Sequence, residues 1–431
     1  MALRKLLIAN RGEVAIRIAR AASELGLRSV AVFSEDDARS LHVRMADEAH
    51  PLAARGAAAY LDAERVLAVA RATGCDAVHP GYGFLSESAS FAQATATAGL
   101  TFVGPRPETL ALLGDKTAAR ALALRCGVPV LAGTPGPVSL EEARAFFAQL
   151  GARGAAVIKA VAGGGGRGMR IVRSADELDA AYERCRSEAR ASFGVDTVYL
   201  ERLLPKARHL EVQIAGDGSG QVCHLWEREC SLQRRHQKLV EVAPSPHLPA
   251  SVRERLLGAA LRLARESAYL GLGTFEFLLD AEGGEELVFI EANPRLQVEH
   301  TVTEQVTGVD LVRVQLELAA GRSLAALGLL EAPPVRGFAL QARVNMETMQ
   351  PDGSTKPGGG TLSAFEPPSG PGVRVDSFGY AGFSPSPSFD SLLAKVIVSS
   401  PSADFGAVLG RAVRALSELR IEGVPTNAAF L

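Results

Sequence analysis

Glu291-Ala-Asn-Pro-Arg-Leu-Gln-Val-Glu-His300 follows two stretches rich in aromatic and branched residues, Gly273-Thr-Phe-Glu-Phe-Leu-Leu-Asp280 and Glu286-Leu-Val-Phe-Ile-Glu291. Both read as strands, separated by a polar turn that contains Gly283-Gly284. With those glycines at the centre of a two-residue hairpin, facing residues have numbers with a constant sum, and Glu276 falls opposite Glu291. Directly opposed residues hold their Cβ atoms about 4.5–5.5 Å apart, so two carboxylates there repel. One reading is a solvent-facing polar strip. The other is a divalent cation: Mg²⁺ takes carboxylate oxygens and substrate phosphates, and Asn293, on the same side of an extended chain as Glu291, adds an amide oxygen. The strip runs on into Arg295, Gln297 and Glu299. In an extended run these share a face, so that a cation, an amide and a carboxylate converge on something small and anionic.

Around this stretch, 431 residues are enough for two or three domains with ample core. A net charge of −2 gives no electrostatic reason to expect nucleic acid or a membrane surface, and a small-molecule partner is expected instead. Five cysteines, Cys75, Cys126, Cys185, Cys223 and Cys230, are odd in number and lack metal-ligand spacing, which fits free thiols in a reducing compartment. The N-terminus enters Leu6-Leu-Ile-Ala-Asn10 with no long apolar segment, so neither secretion nor a membrane span is expected, and a cytoplasmic location is. Of the 46 basic residues only seven are lysine, and keeping lysine at Lys116, Lys159 and Lys238 in so arginine-rich a chain suggests a need for a compact ammonium there.

Residues 1–114 alternate between strand and helix: strands 6–10, 29–34, 76–79 and 101–104, helices 13–25, 62–73 and 86–98. That pattern predicts a parallel sheet flanked by helices. The first turn, Asn10-Arg-Gly-Glu13, has one glycine where a dinucleotide fingerprint needs three, which excludes NAD binding. His79-Pro-Gly-Tyr-Gly-Phe-Leu-Ser-Glu87 sits where a strand ends, either as a ligand loop or as a plain connection. A single helix is predicted from Pro107 through Lys116 to about Arg125.

Strand 155–159, the run Gly163-Gly-Gly-Gly-Arg-Gly168 and strand 169–172 make a strand–loop–strand unit, so the loop is no P-loop, which must open a helix. Its backbone N–H groups still suit a lid over nucleotide phosphates. Val198–Leu204 is an apolar strand broken by Glu201, which either accepts the exocyclic amine of adenine or is salt-bridged. Cys230-Ser-Leu-Gln-Arg-Arg-His236-Gln-Lys238 is a cationic and amide cluster suited to phosphate or carboxylate. Beyond a helix at 310–320 and a polar break at Glu331-Ala-Pro-Pro334, the remainder reads as mostly β, with Arg343 inside its first strand.

Taken in order, Ile8-Ala-Asn-Arg-Gly-Glu13, His79–Glu87, Gly114-Asp-Lys116, the Gly163–Met169 loop, Ser231–Lys238, Gly273-Thr-Phe-Glu-Phe277 and Arg295-Leu-Gln-Val-Glu-His300 resemble the motifs of the biotin carboxylase component of biotin-dependent carboxylases of the acyl-CoA carboxylase type, in the ATP-grasp superfamily. The resemblance implies a mixed α/β and α+β fold. Its parts would be a Rossmann-like parallel α/β domain at 1–114, an ATP-grasp domain at 115–330 with a mobile lid near 132–203, and a mostly β C-terminal domain at 331–431. It implies that Lys116, Lys159, Gly164, Gly165, Gly166, Glu201, His209, Gln233, His236 and Glu276 bind ATP. Glu276, Glu291 and Asn293 would hold Mg²⁺, with Mn²⁺ as a substitute. Lys238, Arg295, Gln297 and the Val298 backbone would bind bicarbonate, with Glu299 as the base. Tyr82 and Arg343 would face biotin, Arg343 stabilising its enolate.

The implied partners are a separate biotin carrier protein or domain and a carboxyltransferase, in a homodimer or larger assembly. No Met-Lys-Met-like biotin acceptor occurs. The chain ends soon after Gly423-Val-Pro-Thr-Asn427, where the family usually continues, so a subunit or excised domain is expected. Relatives often have Asn-Ala-Glu-Asp-Pro where this chain has Asn345-Met-Glu-Thr-Met349. The rival readings are another ATP-grasp ligase that forms an acyl phosphate, and a nucleotide-binding domain without turnover.

Overall fold

A computed structural model describes residues 3–151, 154–161, 168–282 and 286–431. The N-terminal alternation gives a five-stranded, all-parallel sheet in the order Glu48–Pro51, Arg28–Phe33, Lys5–Ile8, Ala77–His79, Thr101–Phe102. Its central strands are apolar on both faces because helices cover both, with Leu7, Val30 and Val78 in one core and Leu6, Ile8 and Val14 in another. The edge strand Glu48–Pro51 is absent from the sequence reading. Its Glu-Ala-His-Pro composition carries no branched or aromatic residue to mark it.

The helix expected from Pro107 to Arg125 is two helices, Pro107–Gly114 and Lys116–Arg125. Asp115 interrupts it in extended conformation and caps the second helix by accepting from the N–H groups of Thr117 and Ala118. This places Lys116 in the first turn, where its side chain leans towards Glu291.

An eight-stranded antiparallel sheet forms the centre, ordered Leu287–Asn293, Leu270–Asp280, Ala207–Asp217, Val222–Arg234, Gln237–Ala243, Phe338–Asn345, Leu392–Ser400, Val373–Ser377. Three C-terminal strands therefore extend this sheet, joined where Val240 faces Ala342, while Glu347–Met349 with Thr355–Pro357 and Ala364–Glu366 with Arg420–Glu422 form two separate short pairs. Helix Ala250–Glu266 packs Leu256 and Leu263 into one core cluster with Phe277 and Phe289. Gly273 is required by close packing, since a Cβ there would lie 1.8 Å from the Tyr269 hydroxyl. A separate three-stranded sheet, Met169–Val172, Ala156–Ala160, Val198–Arg202, carries helices Leu140–Gln149 and Ala175–Phe193. It has its own core of Phe147, Ile158, Leu178 and Cys185.

Glu276 does face Glu291, as the hairpin sum requires. The route differs, however. Next to the turn the sum is 566, as in Leu279 with Leu287, and a bulge that takes up Ile290 restores 567 from Glu276 onward. Gly283 and Gly284 lie outside the described residues. The expected extended run over 295–299 is also corrected. After Asn293 the backbone leaves the sheet and turns into helix His300–Thr307, whose N-cap is Glu299. Five β-branched residues in His300–Thr307 hide that helix from a propensity reading.

Candidate functional site

The register of the central sheet lines up Arg228, Glu211, Glu276 and Glu291 on four neighbouring strands. Opposed residues point to one face, so this row is a strip of three carboxylates closed at one end by a guanidinium. Lys238 sits over it and donates to Glu211 Oε2 at 2.6 Å, Glu276 Oε1 at 2.9 Å and Glu299 Oε1 at 2.7 Å. Arg228, wholly buried, donates from Nε to Glu211 Oε1 and from its NH1 nitrogen to Gln213 Oε1 and Thr303 Oγ1. His209 joins Glu276 Oε2 at 2.6 Å, and Gln233 donates to His209 Nδ1 at 2.8 Å, so Nε2 carries the imidazole proton.

The other carboxylate oxygen of Glu299 accepts from Arg343 at 2.9 Å, and Arg343 Nε donates to Glu241 Oε1 at 2.5 Å. Burial opposes charge on Glu299, but Lys238, Arg343 and Arg228 outweigh it and hold this carboxyl well below the usual carboxylate range. Glu276 is likewise held well below that range against burial, by Lys238 and His209. Burial pushes Glu241 the other way, upward, against Arg343.

Although the run is not extended, Arg295 and Gln297 do converge with Glu276. Arg295 donates to Asn293 Oδ1 at 2.9 Å, Gln297 Oε1 at 3.1 Å and Glu87 Oε1 at 2.5 Å. Asn293 and Gln297 donate their amide N–H groups to Glu276 Oε1 at 2.8 Å and 3.3 Å. Lys116 Nζ lies 3.7 Å from Glu291. On the small three-stranded sheet Glu201 is salt-bridged, accepting from Arg120 on one oxygen and Lys159 on the other. His236, with Arg235 at positive φ beside it, forms the exposed tip of the hairpin that delivers Lys238. Tyr82 donates to Glu13, and its loop is held by Asn10, which donates to the Pro80 and Tyr82 carbonyls. Gly164, Gly165 and Gly166 lie outside the described residues.

Three family models match in succession: the biotin carboxylase N-terminal domain over residues 2–110, the ATP-binding domain of the carbamoyl-phosphate synthase L chain over 115–327, and the biotin carboxylase C-terminal domain over 341–431. The biotin carboxylase domain of a single-chain bacterial carboxylase is 54% identical with a TM-score of 0.87, over 99% of this chain and 92% of that one. The chain belongs to the biotin carboxylase family. A second biotin carboxylase domain, that of Hydrogenobacter thermophilus 2-oxoglutarate carboxylase, solved as a dimer with MgADP, ADP and bicarbonate, is 39% identical with a TM-score of 0.94 over 99% of this chain and 92% of that one. The pyruvate carboxylase of Schizosaccharomyces pombe is 48% identical over 99% of this chain, which spans 36% of that protein's length.

As in its relatives, this biotin carboxylase domain is an ATP-dependent ligase. Several residues that complete its site were not singled out from the sequence. Glu211 alternates with His209 and Gln213 along one strand, a polar face that was legible. Arg228 and Arg120 gave no local signal, since both act through partners remote in sequence, Glu211 and Glu201. Glu241 was hidden by parity. It lies three residues from Lys238, which puts the two on opposite faces of a regular strand, but the pairing slips by one at Leu239 and brings both to the site.

Because Glu276 and Glu299 titrate lower in the folded than in the unfolded chain, their charge contributes stability that is complete above the ordinary carboxylate value of about 4.3 and lost as pH falls through the depressed folded values. Unfolding free energy measured from pH 6 downward should fall below pH ~4.3, and Glu299→Gln should flatten that slope.

Proposed function

We propose that this domain carboxylates biotin carried on a separate domain, with ATP and bicarbonate, through carboxyphosphate. The observation that carries the reading is the single ammonium of Lys238, which touches at once Glu276, one of the proposed metal ligands, and the proposed base, Glu299. Phosphate and bicarbonate chemistry would therefore share one cation.

The acidic row suits Mg²⁺: Glu276 and Glu291 offer hard oxygen ligands on adjacent strands, and Asn293 adds an amide. Bound there, the ion would neutralise phosphate charge. Lys116, Lys159, His209, Gln233 and His236, with the Gly164–Gly166 loop closing over the phosphates, would orient ATP. Glu201, whose carboxylate is committed to Arg120 and Lys159, would serve adenine by shaping the pocket through them. Bicarbonate would lie against Lys238, Arg295, Gln297 and the Val298 N–H.

Glu299 takes the bicarbonate proton as a bicarbonate oxygen attacks the γ-phosphorus and the bond to ADP breaks. An anion seated against Lys238 draws its charge away from Glu299, which restores part of the basicity that this cation suppresses. Carboxyphosphate then cleaves to CO₂ and phosphate, the phosphate takes the ureido proton of biotin, and the nitrogen attacks CO₂ while Arg343 stabilises the enolate oxygen. Tyr82 would line the biotin side, and domains 1–114, 115–330 and 331–431, with a lid near 132–203, complete the organisation.

The final acceptor is proposed to be a 2-oxo acid, with pyruvate first. The S. pombe relative at 48% identity is a pyruvate carboxylase and the H. thermophilus protein a 2-oxoglutarate carboxylase, so the acyl-CoA acceptor expected from the sequence takes second place. A carrier, a carboxyltransferase and a homodimer are part of the same proposal. Five free cysteines favour a reducing, cytoplasmic setting, and no helix among the described residues is long and apolar enough to cross a membrane. Labelled bicarbonate incubated with the domain, Mg-ATP and free biotin should transfer its carbon to biotin. Label incorporation without ATP, or none with it while ADP accumulates, would refute the reading.

A further inference from the structure

One buried cluster beside the site has no part in the mechanism above. Lys395, on strand Leu392–Ser400 opposite Arg343, has no solvent exposure. Its ammonium lies 3.0 Å from Glu13 Oε2 and 3.8 Å from Asp376, and donates to the Val298 carbonyl at 3.1 Å. The remaining oxygen of Glu13 accepts from the Tyr82 hydroxyl. The neighbouring carbonyl, that of Gln297, accepts from His300 Nδ1 at 2.7 Å and from the His300 N–H at 3.3 Å. Consecutive carbonyls of the turn that presents Gln297, Val298 and Glu299 are thus tied down by two buried side chains, Lys395 and His300.

We propose that Lys395, held by Glu13, is a positioning residue for bicarbonate: it fixes the Val298–Glu299 peptide, and through Glu13 it joins that peptide to Tyr82 on the opposite loop. A charged partner is needed because the Glu13 carboxylate is buried, where a missing partner is costly. A lysine suits the task, since its compact ammonium meets a carboxylate and a carbonyl from different directions. The consequence is selective. The turn carries bicarbonate contacts and the base, whereas the ATP contacts lie on other elements. This inference rests on the bicarbonate reading of the pocket.

Steady-state ATP cleavage at varied bicarbonate and varied ATP tests it, on the wild type, Lys395→Met, Lys395→Arg and the charge-balanced double variant Glu13→Gln with Lys395→Met. The double variant guards against misfolding, because Asp376 keeps its 2.7 Å bond to Arg374. Loss of a hydrogen bond to a charged group should raise the bicarbonate KM about tenfold or more in Lys395→Met, with the ATP KM within about twofold of wild type. Lys395→Arg should recover part of the loss. An unchanged bicarbonate KM in both methionine variants, a parallel rise of both KM values, or unfolding of both variants would overturn the positioning role. A wild type whose ATP cleavage ignores bicarbonate would instead overturn the pocket reading beneath it.

Discussion

Replacing Glu299 by glutamine should lower bicarbonate-dependent ATP cleavage by about 10²–10⁴-fold, the range of a lost general base, while ATP still binds. The amide keeps the shape of the side chain and loses only the charge and the ability to take a proton. ATP binding should survive because the residues proposed to hold nucleotide, from Lys116 and Lys159 to His209 and Gln233, make no hydrogen bond to Glu299 in the structure. The change has a second effect: Lys238 and Arg343 each lose a charged partner. Both retain others, Lys238 in Glu211 and Glu276 and Arg343 in Glu241, so the protein should stay folded. Nucleotide titration with single-turnover ADP formation separates the two effects. Turnover near the wild-type rate would remove Glu299 from the role of base.

Lys238→Met should be more disruptive to stability. One ammonium offsets the charge of three carboxylates, and breaking a buried charge pair by removing one partner costs about 3–5 kcal/mol. The loss should be greatest near neutral pH, where Glu276 and Glu299 would be ionised without it, and should shrink as the medium is acidified towards the carboxylate range. Adding Glu211→Gln to Lys238→Met should recover part of the stability. Urea unfolding at pH 7 and pH 5 on the single and double variants reads this directly. A loss that does not depend on pH would mean that Lys238 contributes by packing alone. Bicarbonate-dependent turnover should be absent in both variants.

What the sequence disclosed follows from which features are local. The alternation over the first hundred residues, the Glu276–Glu291 pairing and the cluster around Lys238 are carried by neighbours in the chain or by one hairpin. Even there, the right pairing came from an assumed two-residue turn, whereas the structure reaches it through the bulge at Ile290. Features set by distant pairing were not legible. The continuous central sheet depends on Val240 meeting Ala342, a hundred residues on, and Arg343 enters the site only because of it. Glu241 needed the slip at Leu239. Lys395 stood in plain view as one of seven lysines, yet nothing near it in sequence announces Glu13 or Val298 as partners. The family resemblance supplied roles for residues whose geometry the sequence could not order, such as Arg295, whose loop turns into a helix instead of running straight.

The most direct measurement is ADP release from the domain with Mg-ATP, with and without bicarbonate and with and without free biotin. The account predicts release that requires bicarbonate and rises when biotin is added. Release indifferent to both bicarbonate and biotin would contradict it and place the domain with other acyl-phosphate-forming ligases of the same fold.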